Sequence, residues 1–322
     1  MLKLNQQKIE EAVRRRSTPH TGNLPRSDTQ QPIFEIPDTV KSREFVANNP
    51  KFPAALVKLL ETANKCFARN PRPRDQLENI GFWLGHTCRQ DFLEIAFLAI
   101  NGYGAGATKI LRSLYERAVT IEYLIRNPTK VDRFLQFAAI QEKRAVEAAL
   151  KQLPQERIDA EMEPGNTVAE IRERYEQYKG AFKATACAAC GMKTPPSWDL
   201  DLASMVQKAG EPYQKVFLLA YTNPNFKIHA TLASASPHDE SREEKDAAAA
   251  LIVATELFLA VMRSQNALFS LKLEAEIDAC TNDLRDAQAR ELEAMPPPEP
   301  LPNTKTQTSY RNAGTVPRVG ED

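Results

Sequence analysis

Apolar residues in this chain recur at three- and four-residue spacing and nowhere in a sustained alternating run, a pattern that commits it to helices. The clearest case lies over 110–125, where Ile110, Leu111, Leu114, Ala118, Ile121 and Ile125 share an arc of about 100° on a helical wheel. Twelve glycines in 322 residues, with Ala and Leu leading the apolar content, point the same way. The expected fold class is all-α: a multi-helix bundle with a long C-terminal helix and disordered termini.

Residues 1–48 are polar, rich in Gln, Arg, Thr and Pro, with one short apolar cluster at 33–36. That buries too little to offset ordering entropy, so a mostly disordered segment is expected there. A helical bundle domain is expected over 49–294, with helices over 54–68, 75–100, from the glycine-bearing turn at 101–106 to 127, 130–153, 200–209, 211–221 and 226–233. Gly81 and Gly85 in the second of these mark either a close helix contact or a kink. A helix over 167–183, rich in Glu, Arg and Tyr, reads as a projecting arm. The last helix, from 241 towards 295, spans about 80 Å if continuous. Its charged second half is the expected surface for a homodimer. Residues 295–322 are a Pro-rich, disordered tail.

Forty-two basic residues balance forty-two acidic ones, so no global field recruits nucleic acid or a membrane surface. The apolar run over 247–262 is shorter than the roughly 20 residues of a membrane span, and no membrane partner is expected. Five scattered cysteines do not read as a disulfide framework, and the N-terminus has no signal-peptide core; a cytoplasmic protein is expected. No Gly-rich phosphate loop, Gly-x-Ser-x-Gly, His-Glu-x-x-His or Glu-x-x-His motif is present, and no cofactor is expected. Cys187 and Cys190 have the spacing of half a zinc site, but no second pair follows, so they read as linker residues and no metal is expected. Arg69, Arg72 and Arg74 read as a solvated turn.

One constellation stands apart. Arg112 and Glu116 lie one helical turn apart, opposite the apolar arc but flanked by Val119 and Tyr123, so a second packing surface is expected on their side. A surface ion pair, a buried structural pair and a functional site all remain open for them. His229, one of four histidines, follows the Asn-Pro at 223–224, which reads as a helix stop. A histidine near an acid and an arginine has the makings of a proton-transfer group beside a phosphate clamp. The candidate catalytic residues are His229, Arg112, Glu116 and Asn225.

These stretches, with Leu111-Arg-Ser-Leu-Tyr-Glu116, then Arg133-Phe134-Leu135 after a second Asn-Pro, and the late Ile228-His229, resemble a widespread bacterial family of helical proteins of unknown function. The likeness covers roughly 75–275. In the family pattern a Ser commonly stands four positions before the His; here Asn225 occupies that place. A more distant similarity is to the HEPN superfamily of helical bundles, whose nuclease members carry an Arg four to six residues before a His. That resemblance implies RNA as substrate and His229 as acid or base. Thr222 to Asn225 contain no Arg, so the cation has to come from another helix, as Arg112 would. The alternative is a non-catalytic binding or scaffolding protein.

Overall fold

The structure, a computed structural model, describes residues 39–69, 72–182, 197–228 and 240–294, and every regular element in them is helical. In chain order these are α1 (Thr39–Asn48), α2 (Phe52–Phe67), α3 (Gln76–Ile100), α4 (Gly104–Arg126), α5 (Val131–Ala149), α6 (Gln155–Glu161), α7 (Val168–Tyr178), α8 (Leu202–Ala209), α9 (Tyr213–Phe217), α10 (Asn223–Ile228), α11 (Glu240–Phe269) and α12 (Glu274–Ala294). The tail at 295–322, Cys187, Cys190 and His229 lie outside the described residues, as does the N-terminal segment up to 38.

Helices α3, α4 and α11 pack on one another and form the centre. Phe92 of α3 stacks on Phe258 of α11 at 4.6 Å, and both are fully buried. Each such side chain contributes about 1.5–3 kcal/mol by leaving water. Gly81 and Gly85 serve close approach and not a kink, since α3 runs unbroken past them. A Cβ on Gly85 would stand 2.6 Å from Gln265 Nε2, and one on Gly81 2.6 Å from Leu268 Cδ2. The gap at Gly85 lets Gln265 Nε2 donate to the Gly81 carbonyl at 2.7 Å. At the start of α4, a Cβ on Gly104 would meet the Glu243 carbonyl oxygen at 2.1 Å. There the Glu243 carboxylate accepts from the Ala105 N–H at 2.8 Å, an acid satisfying an amide that has no partner inside its own helix.

Several expectations are corrected. Helix α1 forms at the end of the stretch expected to be mostly disordered, held by tertiary contacts: Phe45 packs edge-on against Phe52 at 5.4 Å and Lys41 pairs with Glu244 at 2.9 Å. The polar stretch after 153 contains α6, whose Ile158 joins Val146, Val168 and Ile171 in a small separate core. That core also pins α7 onto α5, so α7 is not a projecting arm. Its start carries a capping box between Thr167 and Glu170.

The last helix is two helices. Ser270, at φ 52°, takes the left-handed position after α11, and the Leu271 N–H reaches back to the Asn266 carbonyl at 3.1 Å, a Schellman ending built without glycine. The Asn266 side chain then accepts from the Leu273 N–H at 2.9 Å. Helix α12 folds back along α2, burying Ile277, Cys280 and Leu284. Helix α11 spans about 45 Å at 1.5 Å per residue, well short of the expected length. Arg242–Phe269 is long and apolar enough to cross a membrane, yet 72% of its apolar window is buried among the other helices.

Candidate functional site

Helix α4 is covered on nearly all sides. Leu111, Leu114, Ala118 and Ile121 are buried as the wheel requires, and so are Tyr115, Val119 and Tyr123 on the remaining faces. The second packing surface expected beside Arg112 and Glu116 therefore exists. It is made by the segment 213–228, where the Asn-Pro does not stop the helix. Between α9 and α10 the backbone widens into a π turn over Leu218–Thr222, and the Asn223 N–H bonds the Leu218 carbonyl five residues back. Pro224 has no N–H to offer and its ring crowds the carbonyl four residues earlier. The wider turn accommodates both, and Pro224 is buried in the continuing helix.

That continuation brings Tyr221 and Asn225, one turn apart, onto Arg112. The Arg112 Nε donates to Glu116 Oε1 at 2.8 Å, and Nη1 donates to Asn225 Oδ1. The guanidinium lies 5.0 Å from the centre of the Tyr221 ring, within cation–π range. Tyr221 in turn packs on Phe217 at 5.3 Å, and the buried Tyr115 hydroxyl donates to the Tyr213 carbonyl at 2.9 Å, tying α4 to α9. Arg112 is 24% exposed and Glu116 43%, so the pair sits at a rim and is neither a free surface pair nor a buried one. Three of the four candidate residues are thus brought together.

A cleft of about 270 Å³ opens between α4, the π turn, α10 and α11, lined by Thr108, Leu111, Leu219, Asn223, Phe226 and Lys227 among others; Arg112 lies outside it. Lys227 pairs with Asp246 and so ties α10 to α11. No three His, Cys, Asp or Glu side chains come together as a metal-binding group among the described residues.

Two ion pairs escaped the sequence reading. Asp91 of α3 pairs with Arg117 of α4, and burial pushes its carboxyl above the usual range although Arg117 pulls the other way. Its signal was present, since Asp91 shares a face with Cys88 and Ile95. Asp199 accepts from the Tyr123 hydroxyl and from Lys130 Nζ, the latter at 2.9 Å. Burial pushes Asp199 up, but those two bonds and the charges of Lys130 and Arg133 outweigh it and hold the carboxyl below the usual range. No local pattern links positions 123, 130 and 199, so only the fold reveals that site.

The architecture defines an all-helical protein whose central helix carries an Arg–Glu pair clamped by a π-widened second helix. The chain belongs to the Family of unknown function (DUF5677), whose model matches residues 81–246. That span includes α4 and the segment that clamps it. No curated protein and no solved structure matches the chain.

Proposed function

We propose that Arg112, Glu116, Asn225 and His229 form a HEPN-like site for RNA phosphodiester cleavage, with His229 as acid or base and Arg112 stabilising charge on the phosphate. The observation that carries this reading is the bond from Arg112 to Asn225, which sets the segment leading to His229, four residues further on, against the Arg–Glu face of α4. In this reading the cation comes from α4 and not from the residues just before the histidine. Arg112 Nη2 makes no hydrogen bond to a described residue, which leaves it as a donor for a phosphate oxygen, while Glu116 holds the guanidinium in place. The compartment in this reading is the cytoplasm, supported by three buried free thiols, Cys66, Cys88 and Cys280. A homodimer through the C-terminal helices would use the outer charged face of α12, because Ile277, Cys280 and Leu284 are already covered.

The second reading is a non-catalytic binding or scaffolding protein. It is favoured by the Tyr221 ring and the two bonds on Arg112, which also describe a packing staple. Wild type and His229→Ala, incubated with mixed cellular RNA and unfolded in parallel, separate the two. Cleavage that disappears in the variant at unchanged stability supports the nuclease. An inert wild type, with a variant that loses stability, supports the scaffold.

A further inference from the structure

The cleft of about 270 Å³ between α4, the π turn, α10 and α11 adjoins the Arg112 site along both helices that build that site. Leu111 lines the cleft and Arg112 is the next residue of α4; Phe226 lines it and Asn225, which accepts from Arg112, is the residue before it in α10. Whatever fills the cleft is therefore one residue away, on each helix, from a group held by Arg112. The volume lies just under the roughly 300–1,000 Å³ of clefts for drug-sized ligands, so it has room for one ring system and not for a large cofactor.

Thr108 and Leu111 form a floor nearly closed to solvent, while Leu219 and Phe226, 43% and 54% exposed, form an apolar lip. Three polar side chains on the lining keep capacity to spare. The Asn223 amide makes no hydrogen bond to a described residue. Arg242, exposed at the start of α11, holds no carboxylate among the described residues. Asp246 takes Lys227 on Oδ2 and receives no bond from a described residue on Oδ1. Two cations, Lys227 and Arg242, against the one anion leave the lining positive in net charge. The two larger clefts differ in this respect. Lys41 in the one between α1, α3 and α11, and Lys215, Arg263 and Arg285 in the one between α4, α9, α11 and α12, are all held by carboxylates.

We propose that this cleft is a base subsite, taking one unpaired base of a single-stranded RNA whose adjoining phosphate lies on Arg112, an assignment that rests on the reading of Arg112 as a phosphate clamp. The base stacks on the Phe226 ring with its flank against Leu219 and Leu111, the way unpaired bases are held on aromatic side chains. Asn223, which donates and accepts, and Asp246 Oδ1, which only accepts, meet the edge of the base. The carboxylate oxygen needs a donor there. The exocyclic amine of adenine or cytosine supplies one, and the carbonyl of uracil does not. Arg242 takes a neighbouring phosphate of the same strand, which fixes position and not sequence.

Full-length His229→Ala, in which a bound strand stays intact, is titrated at fixed ionic strength with labelled oligoadenylate and oligouridylate of about eight nucleotides, followed by fluorescence anisotropy. Oligoadenylate is expected to bind about tenfold tighter, and Asn223→Ala to narrow that preference. Phe226→Leu, which keeps the apolar cover but removes the ring, should weaken oligoadenylate about tenfold, and Phe226→Tyr should restore it. Arg242→Gln should weaken both strands alike and lower the salt dependence by about one phosphate contact. Circular dichroism shows that each variant is folded, and RNA cleavage by the wild-type chain is measured in parallel. Strand binding that Phe226→Leu and Arg242→Gln leave unchanged overturns the base subsite, and cleavage by wild type then shows that the Arg112 reading survives it. Binding that Phe226→Leu removes, with a wild type that never cleaves, upholds the subsite and overturns the cleavage reading. A chain that neither binds nor cleaves RNA overturns both. A dimer that Phe226→Leu dissociates, with strand binding untouched, gives the apolar lip to a second copy and overturns the subsite as well.

Discussion

Arg112 of α4 and Asn225 of α10, 113 positions apart in the chain, are bonded side chain to side chain. A charged hydrogen bond at a half-buried site is worth about 1.5–3 kcal/mol, so Arg112→Met and Asn225→Ala should each destabilise by roughly that amount. The double variant should lose less than the sum, with a coupling of about 0.5–3 kcal/mol. Urea unfolding of the four proteins measures it. A coupling within about 0.3 kcal/mol of zero would show that the contact contributes nothing.

Three glycines form a graded series. Alanine would gain about 1 kcal/mol of helix propensity at each, against a clash that differs from site to site. At Gly104 the Cβ meets backbone at 2.1 Å, and neither helix can yield cheaply, so a net loss above about 2 kcal/mol is expected. Gly85 should come second, because its neighbour is the enclosed Gln265 amide. Gly81 should be mildest, since Leu268 Cδ2 is the end of a flexible side chain. Thermal unfolding ranks them, and Gly81→Ala as the worst of the three would contradict this packing.

Ser270 occupies a left-handed position that favours glycine. Ser270→Gly should therefore stabilise the fold, by about 0.5–1 kcal/mol after the entropy of the added glycine is counted. Chemical denaturation checks the sign; a loss of stability would mean that the serine side chain holds the α11–α12 turn.

Asp199 and Asp91 should respond to pH in opposite directions. The folded value of Asp199 lies below the unfolded one, near 3.9, so its contribution is present above that value and is lost as pH falls through the folded one. The stability gap between wild type and Asp199→Asn should thus shrink on acidification. The folded value of Asp91 is raised, so its contribution is present below the unfolded value and is lost as pH rises through the folded one. The gap to Asp91→Asn should shrink towards neutral pH. Stability measured from about pH 3 to 7 tests both, and parallel slopes would contradict the assigned environments.

The helices were legible wherever apolar spacing or a cap signals them, as at Leu59 and Ala63 in α2 or Asp75 before α3, whose carboxylate accepts from the Glu78 N–H at 2.8 Å. The break at Ser270 was not, because 269–273 contain neither Gly nor Pro and the turn is fixed by Asn266, four positions earlier. The Asn-Pro misled for the opposite reason: a breaker was present, and a π turn absorbed it. At the candidate site, Arg112 and Glu116 could be paired from spacing alone. Tyr221 could not be found from its own sequence context, because its role depends on which helix α10 packs against. Asn225 was reached only through the family pattern.

In the proposed site Arg112 acts on a phosphate as well as on its neighbours. Arg112→Lys keeps the charge but loses the fork that bonds Glu116 and Asn225 together. RNA cleavage and unfolding free energy, measured side by side for wild type and Arg112→Lys, test it most directly. Cleavage by wild type is expected, with a loss in the variant of about a hundredfold or more against a stability change of no more than about 2 kcal/mol. A wild type that leaves RNA intact, with stability as the only quantity the substitution moves, would contradict it.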